Sequence, residues 1–207
     1  MKPHERDVPK LERCPWAGID DPLYAGYHDE EWGVPHADER RLFEKLLLEG
    51  FQAGLSWITI LRKREAFRRA FHDFDPERMA RYTERDVARL MADPGIVRNR
   101  LKVLAAIDNA KAYLALAEKQ TLASFLWRHA GGKPIINAPV KFGDVPASTD
   151  VSLGISKALK KQGFRFVGPT TVYAFMQSTG MVNDHMVGCP RHKVCAKLQR
   201  AFVPPKN

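Results

Sequence analysis

Cysteine is scarce in this chain. Cys14, Cys189 and Cys195 are all there are in 207 residues, too few and odd in number for a disulfide framework. That excludes a small secreted fold stapled by bridges and points to a reducing, intracellular compartment. Long hydrophobic runs are missing too. The longest uncharged stretch, "FVGPTTVYAFMQSTGMVN" at 166–183, is broken by Gly168, Pro169, Gln177, Gly180 and Asn183, which argues against a membrane span. The opening "MKPHERDVPKLERC" lacks an apolar core and reads as no secretory signal. No apolar–polar alternation is long enough to suggest a strand, so the expected fold is all-α. Acidic residues are in deficit, 24 against 33 basic ones, giving a formal net charge of +9. A small chain this basic suits a polyanionic partner such as nucleic acid, although a solvated basic face would give the same total.

Helical periodicity is what the sequence has in abundance. "DERRLFEKLLLEG" carries an apolar stripe of Leu42, Phe43, Leu46 and Leu47 with Asp38 as its cap. "SWITILRKREAFRRAF" turns its basic residues away from Ile58, Leu61 and Phe67. Asp75-Pro76 reads as cap and first helical position, and Thr83 with Asp86 as a capping box. Leu101, Leu104, Ala105 and Ile107 recur at helical spacing, and "TLASFLWRHAGG" ends at a glycine pair. Residues 131–150 are punctuated by Pro and Gly and read as a long connection. Beyond it, "DVSLGISKALKKQG" stops at Gly163, and Pro169 opens a helix closed by Gly180, with Val172, Phe175, Met176 and Thr179 on one face.

Four features carry chemistry. The helix–"GFRFVG"–helix unit, with Gly163 and Gly168, brings backbone N–H groups to a helix start. Lys157, Lys160, Lys161 and Arg165 surround it, which suits a phosphate backbone or else a plain helical hairpin. Trp16, Tyr24, Tyr27, Trp32 and Trp57 cluster near the N-terminus. Each alone reads as core, but together they could wall a pocket for a flat base. Glu49 lies among Leu46–Leu48 and Phe51, where a carboxylate is costly to bury unless paired or functional. Finally, His185 and Cys189 stand four apart, a spacing that shares one helical face. They have two completions as a Cys/His metal site. One is local, with His192 and Cys195; the other is remote, with Cys14 and His28.

Taken together, "RCPWAGIDDPLYAGYHDEEWGVP" (13–35), "LEGFQAGLSWITILRKRE" (48–65), "PGIVRNRLKVLAAIDNA" (94–110) and "STDVSLGISKALKKQGFRFVGPTTVYAFMQSTGMVNDHMVGC" (148–189) resemble the 3-methyladenine DNA glycosylase I family. The resemblance implies a single helix-hairpin-helix glycosylase domain over 13–189, its hairpin near 152–180. A zinc-binding helical part would come from 13–35 and 181–195, with 1–12 and 190–207 as variable ends. It implies one structural zinc ion on Cys14, His28, His185 and Cys189, and Glu49 as the catalytic residue. The base would lie among Tyr27, Trp57, Trp16, Tyr24 and Trp32. DNA contacts would come from Lys161, Gly163, Arg165 and Gly168. Gln52 and Leu55, on the turn beside the pocket, are candidates for a wedge in the duplex, or else simply part of a packed interhelix turn. The implied activity is flipping and hydrolytic release of 3-methyladenine from double-stranded DNA, without a lyase step, by a monomer in the bacterial cytosol. Related glycosylases use an Asp just after the second hairpin helix. Asp184 lies there, but this family is understood to lack that base, so it is not assigned one.

Overall fold

The computed structural model describes residues 12–17 and 21–206, so the expected variable start lies outside the described residues except for Glu12. Ten α-helices carry the described chain. They are α1 (Pro22–Gly26), α2 (Glu39–Gln52), α3 (Trp57–Ala70), α4 (Pro76–Met79), α5 (Glu84–Ala92), α6 (Arg100–Ala117), α7 (Leu122–His129), α8 (Asp150–Lys161), α9 (Pro169–Ser178) and α10 (Pro190–Ala201). A π-helical turn, Tyr27–Glu31, continues α1. The molecule is predominantly helical, as its periodicity leads one to expect. One small addition is a parallel pair, β1 (Ile135–Ile136) with β2 (Val182–Asn183). Two residues are too short for alternation to register, but the pair fastens the connection after α7 to the segment after α9.

The helix ends follow their caps. The Asp38 carboxylate accepts from the Arg41 N–H at 2.8 Å. Asp75 accepts from the N–H groups of Glu77 and Arg78, with Pro76 at the first position. Asp86 accepts from both the Thr83 N–H and hydroxyl. One stripe differs from its periodicity. Ala105 and Ile107 are buried as expected, but Leu101 is 62% exposed, and α6 also buries Lys102, Val103, Ala106 and Ala110. This helix is alanine-rich and apolar on most sides, so spacing alone does not single out a buried face.

Helix α2 is the hub, packed against α3, α6, α7 and α9. Leu42, Phe43, Leu46, Leu47, Leu48 and Phe51 are all buried, so even the polar side chains of its second half are drawn inside. A second, smaller core holds Cys14, Tyr27, Trp32, Leu61, Met186 and Cys189. The stretch beyond Cys189, expected as a variable end, forms α10 with Cys195, Ala196 and Gln199 buried. The Gln199 amide donates to the carbonyls of Gly33 and Gly180 at 3.1 and 3.0 Å, tying both halves of the second core together. Gly180 has φ +70°, and a Cβ there would collide with the backbone of Val34 and Pro35, so glycine is required. Among the described residues no helix is long and apolar enough to cross a membrane.

Candidate active site and metal centre

The π turn at the end of α1 serves two sites with adjacent residues, Tyr27 and His28, both buried. Tyr27 faces a cavity of about 450 Å³. The pocket is walled by Trp16, Tyr24, Trp32, Glu49, Gln52 and Trp57 on one side. On the other side lie the 142–147 segment and the α9 side chains Thr170, Tyr173, Ala174 and Gln177. All five aromatic residues singled out from the sequence line it. The Tyr27 and Trp57 rings lie 5.4 Å apart, tilted by 41°, and Trp16 contacts both Tyr24 and Trp32. Trp57 Nε1 is buried without a hydrogen-bond partner among the described residues, an orphan donor in the pocket wall.

Glu49 is 3% exposed. Burial pushes its carboxyl up to about 7, against the opposing charge of Lys45 and a hydrogen bond with Ser178. Lys45, one turn earlier on α2, was not singled out by the sequence reading. Its Nζ lies 4.7 Å from the Tyr27 ring centre and 4.6 Å from that of Trp57. The signal was present, because Lys45 and Glu49 share the face of Leu42 and Leu46. The other unanticipated group is centred on Asp184, which borders the cavity. Its carboxylate accepts from the Tyr173 hydroxyl (2.6 Å), the Gln177 amide (2.7 Å) and the Asn137 amide (2.7 Å). Three donors occupy it, and burial together with this carboxylate raises the Tyr173 hydroxyl above its ordinary range. Asp184 therefore holds the segment just after β1, α9 and the pocket wall together.

Cys14, His28, His185 and Cys189 are all buried, with their ligand atoms within 4.8 Å of one another. His185 and Cys189 do not share a helix, as their spacing suggests. They flank a turn in which the Cys189 N–H donates to the Met186 carbonyl, and Cys189 caps α10 ahead of Pro190. Gly188 and Pro190 favour that turn over a helix. The outer nitrogens are also held. His28 Nδ1 is 2.7 Å from Asp29, which Arg13 grips in turn, and His185 Nε2 is 2.9 Å from the Trp32 carbonyl. This leaves His28 Nε2 and His185 Nδ1 facing the two sulfurs. The Cys189 thiol is pushed down by hydrogen bonds from Cys14, His185 and His28, while Cys14 is pushed up by its bond to Cys189 and by burial. Two thiols, two imidazoles and anchored outer nitrogens form a donor set that could hold a metal ion. The local completion is not formed. His192 Nε2 lies 2.8 Å from the Asn137 carbonyl, and Cys195 Sγ sits near the Trp32 carbonyl.

The hairpin forms as its glycines lead one to expect. Gly163, at φ +91°, ends α8, and Gly168 caps α9 without a side chain for the first-turn N–H groups. Asn109 on α6 pins the loop between them, bonding both the N–H and the carbonyl of Arg165 at 2.6 and 3.0 Å. The Arg165 guanidinium pairs with Asp108 at 2.6 Å, whereas Lys161 is exposed. On the turn after α2, Gln52 donates to the Leu55 carbonyl, and Leu55 is 41% exposed. Lys102 Nζ donates to the carbonyls of Phe51 and Ala53, both at 2.7 Å, and so caps that turn. Lys102→Met strips two carbonyls of their donor. We expect a loss of about 2 kcal/mol, read as a melting temperature lower by about 4–8 °C; an unchanged value would show that the cap is dispensable.

A family model described as methyladenine glycosylase matches residues 16–192. The DNA-3-methyladenine glycosylase of Haemophilus influenzae is 51% identical over 179 residues, which cover 86% of this chain and 96% of that protein. A crystal structure of 3-methyladenine DNA glycosylase I, also 51% identical, superposes with a TM-score of 0.84 over 86% of this chain and 98% of its own. A tyrosine-to-phenylalanine variant of 3-methyladenine DNA glycosylase I, solved in complex with 3-methyladenine, is 37% identical. It superposes with a TM-score of 0.83 over 95% of this chain and all of its own.

Proposed function

The chain belongs to the methyladenine glycosylase family, and from that premise we propose that it releases 3-methyladenine from alkylated double-stranded DNA. The N-glycosyl bond is hydrolysed and an abasic site is left. One observation carries the reading: an aromatic-walled cavity lined by two buried carboxylates, of which Asp184 is occupied by three donors and Glu49 is left to face a ligand.

A 3-methyladenine nucleotide is cationic, and departure of the base neutralises it. The bond is therefore already labile, and the demand on the protein shifts to finding, extruding and holding the base. Extrusion costs a few kcal/mol of stacking, less for a damaged base than for a normal one. Tyr27 and Trp57 stack on the extruded ring, and Trp16, Tyr24 and Trp32 close its sides. Glu49 accepts hydrogen bonds from the base edge and balances the positive ring, while the orphan Trp57 Nε1 offers a donor. Gln52 and Leu55 fill the gap left in the duplex. The first-turn N–H groups of α9 and the glycines at 163 and 168 take a backbone phosphate, aided by Lys161 and by Arg165 once it leaves Asp108. No lysine lines the cavity among the described residues, which supports hydrolysis without a Schiff base.

Cys14, His28, His185 and Cys189 would hold one zinc ion. Four protein ligands leave no open position for water, so the ion supplies structure. The Trp16 ring contacts His28, and Trp32 contacts both histidines, so order at the metal is order in the pocket wall. The chain acts on DNA as a monomer in the cytosol. Incubation with methylated duplex DNA should release free methylated base and leave alkali-labile abasic sites. Salt-sensitive DNA binding with no free base would make it a non-catalytic binding module instead.

A further inference from the structure

Lys45 is 8% exposed, yet its Nζ has no hydrogen-bond partner among the described residues. A lysine on a surface helix normally runs its stem along apolar atoms and delivers the ammonium to water. This one points inward, against the faces of Tyr27 and Trp57. It also borders a second cavity of about 30 Å³, lined by Glu31, His36, Arg41, Glu44, Arg64, Arg68 and Ser178. A water needs about 10–15 Å³ of such space, so the ammonium can be solvated from behind.

The charges around it decide what it serves. Glu31 is held by Arg64 through two bonds of 2.6 and 2.9 Å, and Glu44 by Arg68 at 2.8 Å. Glu49 shares α2 with Lys45 one turn on, and it has no cationic partner in contact among the described residues. It is thus the one carboxylate near Lys45 whose charge nothing else offsets. Ser178, on α9, borders the second cavity and lies beside Glu49, with its hydroxyl donating to the Phe175 carbonyl at 3.0 Å. The remaining charged or titratable neighbours are Tyr24 and Tyr27 beside Glu49, with Arg41 and His36 across the small cavity.

Resting on the function proposed above, we infer that Lys45 is a positioning residue for base excision, an ammonium behind the pocket that braces the Tyr27 and Trp57 rings and keeps Glu49 in its acceptor form. It touches no substrate and works through these three residues. Burial of Glu49 and the opposing pull of Lys45 on its proton agree with this arrangement.

Lys45→Met and Lys45→Arg test it. The Glu49 carboxyl is titrated by NMR with labelled glutamate, which needs no substrate, and kcat/KM for base release from methylated duplex DNA is followed against pH. Lys45→Met should move the Glu49 midpoint and the acid limb of kcat/KM upward by about one pH unit or more. Release at neutral pH then falls about tenfold and recovers above about pH 8. Below about pH 7, where Glu49 of this variant is protonated, its melting temperature should be no lower, because a buried ammonium has been removed and no buried charge is left unpaired. Lys45→Arg keeps the charge and should keep most of the limb. An unmoved midpoint in a folded Lys45→Met overturns the inference, as does a loss equal at every pH with a lowered melting temperature, the mark of packing alone. A moved midpoint in a chain that releases no base would sustain the Lys45–Glu49 coupling and sink the glycosylase reading instead.

Discussion

Glu49→Gln should lower kcat/KM for base release by about 10²–10³-fold while leaving the melting temperature unchanged or higher. The amide has the shape of the carboxylate but no charge, and it presents a donor where the base edge needs an acceptor. On the proposed function, a cationic ring also loses its counter-charge at a buried position, where such terms are stronger than in water. Stability moves the other way. The folded carboxyl is raised to about 7, so the folded protein binds that proton more tightly than the unfolded chain does. Its contribution to stability is complete at low pH and is lost as pH rises from the ordinary carboxylate range through about 7. At pH 8 the Gln variant is free of that penalty. On the proposed function, activity of the parent chain should have the opposite sense, because the acceptor form of Glu49 disappears as pH falls through the same range. A variant that loses activity and stability together would show Glu49 to be a packing residue.

Cys14→Ser should have the larger effect on stability. An ion bound at a thousand times its dissociation constant contributes about 4 kcal/mol, or about 8–16 °C of melting temperature in a domain this size. We expect zinc content to fall from one ion per chain towards none, and a chelator to lower the melting temperature of the parent similarly. The damage should reach the pocket, since Trp16 and Trp32 pack on the ligand imidazoles and Tyr27 adjoins His28. His192→Ala should leave the metal in place, because its ring lies against the Asn137 carbonyl. Zinc retained in Cys14→Ser and lost in His192→Ala would restore the local ligand set and refute the one described.

Much of the fold was legible because its helices obey local rules. Caps at Asp38, Asp75 and Thr83, stops at Gly163 and Gly180, and the stripe on α2 are short-range signals that a single chain displays. The aromatic group was legible as a composition anomaly, although only the fold shows its members around one cavity. The ligand set could not be chosen from spacing alone, because His192 and Cys195 compete with partners over 150 residues away. The resemblance made that choice, and the structure brings the four side chains together by a turn where spacing suggested a helix. Three things stayed hidden. Lys45 looks like any basic residue on an amphipathic helix until α2 proves to be buried nearly all round. The Asp184 network joins Asn137, Tyr173 and Gln177, which no local pattern links. The far wall of the pocket, 142–147, lies in a Pro- and Gly-rich connection whose path depends on a two-residue strand pair.

The most direct test of the account is the spectrum of bases released from DNA treated with a methylating agent. On the proposed function, a cavity that stacks a flat cationic ring against Tyr27 and Trp57, and reads its edge with Glu49, should release 3-methyladenine, retain 7-methylguanine and leave the strand uncut. Release of both bases alike, or strand cleavage accompanying release, would contradict it.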